Sequence, residues 1–192
     1  GCLVSSGIGG LDTLIEQTVV WKERGLRRLF PLMIPKMIID ICAGQLSINF
    51  KLRGPNFAVV SACASGNHSI GEAAWIIRRG DAEVMMAGGT EACISALGVG
   101  GFAAMKALSE RNDEPTRASR PFDAQRDGFV PAEGAGVVIL ESLEHAKARG
   151  ATILAEVVGY GASGDAHHIT APLDNGEGGA RAVRAALKHA GL

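Results

Sequence analysis

Residues 57–66 read Phe-Ala-Val-Val-Ser-Ala-Cys-Ala-Ser-Gly, an apolar run that leads into a cysteine set among small residues. The turn signal Arg53-Gly54-Pro55 precedes it, so Phe57–Ser61 is predicted to be a buried strand. From Cys63 to Arg79, apolar or small residues recur at helical spacing, which predicts a helix. A strand that turns directly into a helix places Cys63 at the helix N-terminus.

Cys63 has the sequence context of a nucleophile. The unpaired N–H groups and the positive dipole end of a helix N-terminus favour the thiolate, which is the attacking form of cysteine. Small neighbours leave room for a substrate carbonyl, and the Cys63 backbone N–H is placed to donate to an oxyanion. The alternative is a small buried apolar side chain, the commonest fate of a free cysteine. Cys2, Cys42 and Cys93 lack such a turn, so for them we expect that structural role.

The rest of the chain alternates between the two element types. The hydrophobic pattern predicts strands over 82–87, 134–141 and 152–160, and helices over 143–149, capped by Ser142, and 178–190. Residues 98–128 are rich in Gly, Arg and Pro, which predicts a long functional loop. This order is typical of an α/β fold with a largely parallel sheet.

Composition excludes several classes of function. With 19 basic and 20 acidic residues, the net charge is −1, so no overall field favours nucleic acid or an anionic membrane. No apolar stretch reaches the roughly 20 residues of a membrane span. The four cysteines have neither zinc-site spacing nor disulfide density, which favours a reducing compartment. The chain lacks an initiator Met and ends just past a predicted helix, so we expect it to be a fragment of a longer polypeptide.

The five histidines give no metal site and no obvious base. His68 lies five residues after Cys63, about 140° round a helix, which is a poor position for a base. His145 and His189 lie near predicted helix C-termini, where a surface histidine complements the dipole. Residues 165–170 hold the pair His167-His168 without further ligands at metal-binding spacing, so no metal is expected.

Five motifs in register resemble one known family. They are Ser61-Ala62-Cys63-Ala64-Ser65-Gly66, Gly98-Val99-Gly100-Gly101-Phe102, Ser119-Arg120-Pro121-Phe122-Asp123, Arg126-Asp127-Gly128-Phe129 and Glu133-Gly134-Ala135-Gly136. The chain resembles the elongating β-ketoacyl-acyl-carrier-protein synthases of types I and II, most closely type II. The resemblance implies a thiolase-like layered α/β fold. It assigns residues 1–141 to an N-terminal half, incomplete at its start, and 142–192 to the beginning of a C-terminal half.

The resemblance implies a reaction in which Cys63 accepts an acyl group from acyl carrier protein as a thioester. Malonyl-carrier protein is then decarboxylated, and the resulting carbanion lengthens the held acyl group by two carbons. Two histidines in His-Gly-Thr and Gly-His segments normally assist, and neither segment occurs in this chain. No cofactor is expected, because phosphopantetheine arrives on the carrier protein. A homodimer is implied, in the bacterial cytoplasm or in an organelle matrix.

The resemblance also indicates residues around the nucleophile. Phe102 matches the gating phenylalanine, Ile8 an acyl-pocket residue near the dimer interface, and His168 a residue that lines the pocket. Arg27, Arg28 and Lys106 match the basic residues that bind the acidic carrier protein.

Three alternatives share the fold. A thiolase uses a cysteine nucleophile with coenzyme A thioesters, but motifs between Gly98 and Glu141 argue against it. A polyketide ketosynthase usually has Cys-Ser-Ser, whereas this chain has Cys-Ala-Ser at Cys63. A non-catalytic chain-length-factor-like subunit typically replaces the cysteine, so the presence of Cys63 weighs against it.

Overall fold

A mixed three-stranded sheet forms the centre of the computed structural model, which describes residues 1–192. Strands β1 (Cys2–Ser5), β2 (Val84–Glu91) and β3 (Gly134–Glu141) lie in that order. β1 pairs parallel to β2, with Cys2 opposite Met86, and β2 pairs antiparallel to β3, with Val84 opposite Glu141. The predicted α/β class is confirmed, but the sheet is mixed because the chain returns along β2 after the long connection that follows it.

Helices cover both faces of the sheet. They are α1 (Leu11–Arg24), α2 (Met33–Met37), α3 (Ile41–Phe50), α4 (Ser65–Arg78), α5 (Ala96–Ala104), α6 (Leu143–Ala148) and α7 (Glu177–Ala190), with short 3₁₀ turns at Leu26–Arg28 and Pro115–Arg117. None of these helices has the length and apolar character needed to cross a bilayer.

Strand β1 explains the layers. Its four residues are buried, and successive side chains point to opposite faces of the sheet. Leu3 packs with Ala73 and Ile76 of α4 on one face. Cys2 and Val4 pack with Ala43 of α3 on the other. The sheet is therefore the middle of three layers, with α3 and α4 outside it.

The predicted strand Phe57–Ser61 is not a regular strand. The segment enters beside β1, where the Phe57 N–H donates to the Cys2 carbonyl at 3.4 Å, but the Val59 N–H then donates to the Ser5 hydroxyl at 3.0 Å. The Ser5 side chain thus replaces a ladder hydrogen bond. The prediction of full burial was also wrong, since Phe57 is 41% exposed and Val60 56% exposed.

Strand β2 continues past residue 87, where the predicted strand over 82–87 ends. Gly88 and Gly89 lie inside the strand, and a Cβ on Gly88 would lie 2.0 Å from the Gly136 carbonyl oxygen of β3. A Cβ on Gly89 would lie 3.0 Å from Cα of Gly66, which belongs to α4. The two glycines therefore let β3 and α4 approach the strand closely.

Residues 152–160 also form no strand, contrary to the prediction. A strand needs a hydrogen-bonding neighbour, and this segment instead packs along α4. Arg78 donates to the Val157 and Val158 carbonyls at 3.4 and 3.2 Å. The Tyr160 ring lies over Gly71, where a Cβ would stand 2.3 Å from the ring.

The helices agree better with the sequence. Helix α6 is capped by Ser142, whose hydroxyl accepts from the His145 N–H at 3.2 Å, and α7 covers the predicted range. Helix α4 begins at Ser65, two residues later than predicted. The predicted loop over 98–128 begins instead with helix α5, because the Ser95 hydroxyl caps its first turn.

Replacing Gly88 with alanine should destabilise the protein. The added methyl group meets backbone of β3, which cannot move without breaking the sheet, so Gly88→Ala should lower the free energy of unfolding by about 1–3 kcal/mol. Urea denaturation measures this change. Gly100→Ala is the matched control, because no atom lies within 4 Å of its added Cβ. Equal stability of the two variants would contradict the close approach.

Candidate active site

Three chain segments meet at the carboxyl edge of the parallel strands. They are the loop Ser6–Ile8 after β1, the turn 61–64 before α4, and Glu91 at the end of β2. The carboxyl edge is where open α/β sheets bind their ligands, because loops from neighbouring strands converge there.

The turn 61–64 is a strained junction. Ala62 has φ of +50°, a left-handed conformation that costs a non-glycine residue about 1–3 kcal/mol. Two backbone bonds close the turn, from the Ala64 N–H to the Ser61 carbonyl and from the Ser65 N–H to the Ala62 carbonyl, both at 3.1 Å. The Ser65 hydroxyl donates to the Ala62 carbonyl at 2.7 Å and accepts from the Ser61 N–H at 2.9 Å. The bond network therefore offsets the strain.

Cys63 stands at the top of this turn and is exposed to solvent. The hypothesis that it is a small buried apolar side chain is therefore wrong. Its position just before α4 puts the thiol near the N-terminus of that helix.

The other cysteines have the opposite environment. Burial raises the pKa of the Cys2 and Cys42 thiols, and burial together with the carboxylates of Glu91, Glu133 and Asp12 raises the pKa of the Cys93 thiol. A raised pKa reduces the thiolate fraction at neutral pH. Cys63 is thus the accessible thiol of the chain.

Glu91 fixes the loop beside the turn. Its carboxylate accepts from the Ser6 hydroxyl at 2.8 Å, the Gly7 N–H at 2.9 Å and the Ile8 N–H at 3.0 Å. Gly7 lies against the turn, since an added Cβ would stand 3.4 Å from the Ala62 carbonyl oxygen. No local pattern indicates Glu91, because its partners are more than 80 residues away in the chain.

The N-terminal portion of the chain matches a family model described as "Beta-ketoacyl synthase, N-terminal domain" over residues 1–146. The chain belongs to the β-ketoacyl synthase family. It is 56% identical to 3-oxoacyl-[acyl-carrier-protein] synthase 2 of Rhizobium meliloti (strain 1021), covering all of this chain and 46% of that protein. The chain thus spans just under half the length of such curated relatives.

Solved structures show the same relationship. A β-ketoacyl synthase from Burkholderia phymatum STM815 superposes with a TM-score of 0.91 at 40% identity, covering 100% of this chain and 46% of that one. A structure described as a type II PKS acyl-carrier protein in complex with its ketosynthase, AntDE:AntF, gives a TM-score of 0.88 at 34% identity, covering 98% and 49%. The thiolase-like α/β fold implied by the sequence motifs is therefore confirmed.

Within this family fold, the residues that the sequence motifs indicated lie in different elements. Ile8 is 38% exposed in the loop that Glu91 holds against the turn. Phe102 belongs to helix α5, not to a flexible loop, and packs edge-on against Phe129 with ring centroids 5.1 Å apart. His168 is exposed, and its Nδ1 accepts from the Ala171 N–H at 3.0 Å, which stabilises its own loop. Ile8 thus lies in a loop beside the turn that holds Cys63. Phe102 packs against Phe129, and His168 bonds within its own loop, so these contacts lie outside the turn.

The basic residues assigned to carrier binding are on the surface. Arg27 and Arg28 occupy the 3₁₀ turn after α1, and Lys106 follows α5 with φ of +56°. All three are exposed, and none forms an ion pair.

Two histidines lie in the last turns of their helices, as predicted, but both are half-buried and not surface residues. His145 Nδ1 lies 2.8 Å from the Glu141 carboxylate. The hydrogen bond from Arg149, which has the larger effect, and the one from His145 lower the pKa of Glu141 to about 2. His189 stacks on Trp75 of α4 with ring centroids 4.4 Å apart and accepts from the Tyr160 N–H at 3.1 Å. His145 therefore connects α6 to β3, and His189 connects α7 to α4 and to the segment that contains Tyr160.

Cys63 should react first with a small thiol reagent. With iodoacetamide near neutral pH, peptide mapping by mass spectrometry should find Cys63 modified well before Cys2, Cys42 and Cys93, whose raised pKa values keep them protonated. Raising the pH should narrow the difference, because the buried thiols ionise only then. Cys63→Ala should remove the fast reaction and Cys42→Ser should retain it. A fast reaction that survives Cys63→Ala would contradict this assignment.

Proposed function

We propose that this chain carries the acyl-accepting nucleophile of a 3-oxoacyl-acyl-carrier-protein synthase of fatty-acid elongation. The observation that carries the proposal is the exposed Cys63 on a strained turn at a helix N-terminus, in a chain whose other cysteines have thiols that burial keeps protonated. The Rhizobium relative bears the name of such a synthase, which supports the assignment.

In the proposed first half-reaction, the Cys63 thiolate attacks the carbonyl carbon of an acyl thioester on acyl carrier protein. The carbonyl π electrons move to oxygen, and the Cys63 backbone N–H donates to that oxyanion. When the carbonyl re-forms, the carrier thiolate leaves and takes up a proton. The acyl group is then a thioester on Cys63.

In the second half-reaction, malonyl-carrier protein loses carbon dioxide, and the electron pair of the broken carbon–carbon bond forms a carbanion. The carbanion attacks the thioester carbon on Cys63, and the sulfur leaves as thiolate. The product is lengthened by two carbons and remains on the carrier. The histidine segments His-Gly-Thr and Gly-His that assist this step in the family do not occur in these 192 residues, so we assign decarboxylation to groups outside them.

We assign roles to three further residues. Ile8, Phe102 and His168 line or gate the acyl site, and the phosphopantetheine of the carrier is the only prosthetic group required. We assign the boundary between the two halves of the fold to 141/142, and the whole protein to the cytoplasm or an organelle matrix.

A homodimer forms part of the proposal. The segment Phe57–Ser61 contacts β1 on one side, and two of its large apolar side chains, Phe57 and Val60, remain exposed. Such an edge is suited to pairing with the same edge of a second copy about a two-fold axis, because a two-fold axis makes the surface self-complementary.

A type II polyketide ketosynthase is the second candidate. The 34% identity and TM-score of 0.88 to AntDE:AntF favour it, since that ketosynthase is in complex with an acyl-carrier protein and bound to a hexaketide. Cys-Ala-Ser at Cys63 favours the fatty-acid enzyme. Product analysis separates the two, because a fatty-acid enzyme extends a saturated acyl chain and a polyketide enzyme extends a poly-β-keto chain.

Acyl transfer to Cys63 should be separable from decarboxylation. Incubation with acyl-carrier protein should add one acyl group at Cys63, and Cys63→Ala should abolish the adduct. Carbon dioxide release from malonyl-carrier protein by these 192 residues should fall below that of the whole enzyme by about 100- to 1000-fold for each missing hydrogen-bond donor. Release within tenfold of the whole enzyme would refute our placement of decarboxylation outside this chain.

Charge reversal should weaken carrier recognition without touching the chemistry. Arg27→Glu/Arg28→Glu and Lys106→Glu should each lower the second-order rate of acyl transfer from the carrier by roughly tenfold at low salt, because steering by opposite charge is lost. Transfer from a small acyl-pantetheine thioester should stay unchanged. Lys147→Glu, an exposed lysine of α6, is the matched control. Equal losses with both donors would show that these residues act on the site itself.

A further inference from the structure

Every polar group of Ser61 forms a hydrogen bond. Its N–H donates to the Ser65 hydroxyl at 2.9 Å, and its carbonyl accepts from the Ala64 N–H at 3.1 Å. Its own hydroxyl lies 2.5 Å from Nδ1 of His68. Ser61 stands two residues before Cys63, so these bonds fix the chain where it enters the nucleophile turn.

His68 is the outer anchor of this arrangement. Its backbone belongs to the first turn of α4, where its N–H donates to the Ala64 carbonyl at 2.9 Å. Its ring is half-buried and meets the Tyr160 ring edge-on, with centroids 6.2 Å apart. A helix and an aromatic ring therefore hold the imidazole in place, and through it the Ser61 hydroxyl.

The turn requires such an anchor. A non-glycine residue stays at positive φ only when surrounding contacts over-determine it, and Ala62 lies between Ser61 and Cys63. The bonds within the turn are local and would move with it. The His68 bond differs, because it joins the turn to a side chain of helix α4.

We propose that His68 is a positioning residue for the Cys63 nucleophile. It acts through the Ser61 hydroxyl, which it holds so that the strained turn keeps Cys63 exposed at the N-terminus of α4. Its ring contacts Ser61 and Tyr160, so it is not assigned as a base for the thiol. This inference rests on the proposed role of Cys63 as nucleophile.

The test uses five variants of the whole protein: His68→Ala, His68→Asn, Ser61→Ala, the double variant Ser61→Ala/His68→Ala, and His167→Ala. The last is the matched control, because it removes an exposed imidazole that belongs neither to the nucleophile turn nor to α4. Two rates are measured for Cys63, alkylation by iodoacetamide and acyl transfer from acyl-carrier protein. Alkylation needs no bound substrate, so it tests the position of the thiol even if no acyl group is accepted.

His68→Ala and Ser61→Ala should each slow both reactions by about three- to tenfold, because small misplacement of a reacting group costs rate steeply. The double variant should be no slower than either single variant, since both changes remove one interaction. His68→Asn should restore at least half of the original rate, because its amide can still bond the hydroxyl. His167→Ala should match the unchanged protein.

Three results would overturn the proposal: unchanged rates in both single variants, multiplying losses in the double variant, or no rescue by asparagine. If His68→Ala does not fold, Ser61→Ala decides the matter, because it removes only one oxygen. Failure of the unchanged protein to accept an acyl group, with the alkylation pattern as expected, would reject the proposed function and leave the positioning role standing.

Discussion

The left-handed backbone of Ala62 is the constraint on which the site depends. It turns the chain from the edge of the sheet into α4 within four residues, and so presents Cys63 outward and not on the buried face of the helix. The serines on either side bond the turn to itself, and His68 bonds it to the helix. The cost of an unfavourable φ is thereby offset by hydrogen bonds.

Two glycines of β2 allow neighbouring elements to pack closely beside the same site. Gly89 allows α4 to approach β2 closely at Gly66, which follows shortly after Cys63 in the chain. Gly88 allows the backbone of β3 to approach β2 closely. Glu91 then ends the strand with a carboxylate whose three donors all come from the loop after β1. Close packing beneath the turn and a hydrogen-bonded loop beside it leave the Cys63 thiol exposed at this edge.

Local sequence was sufficient where local physics decides. The strand Gly134–Glu141, the Ser142 cap and the amphipathic last helix were predicted correctly, and the motif around Cys63 indicated the right turn. The prediction for 152–160 was wrong, because a strand requires a hydrogen-bonding neighbour that an apolar run cannot reveal. The prediction for Phe57–Ser61 was wrong, because the Ser5 side chain replaces a ladder hydrogen bond beside β1. Helix α5 was missed since its glycines hide the helical pattern and only the Ser95 cap marks its start. Glu91 and the Ser61–His68 pair depend on tertiary contacts, which no spacing in the sequence announces.

A crystal structure of the whole protein at a resolution that fixes backbone torsions tests this account most directly. We predict Ala62 at positive φ, Cys63 immediately before the N-terminus of α4, and the Ser61 hydroxyl in hydrogen-bond contact with His68 Nδ1. An Ala62 residue in the ordinary helical region, with Cys63 turned into the interior of α4, would contradict the claim that a strained turn exposes the nucleophile.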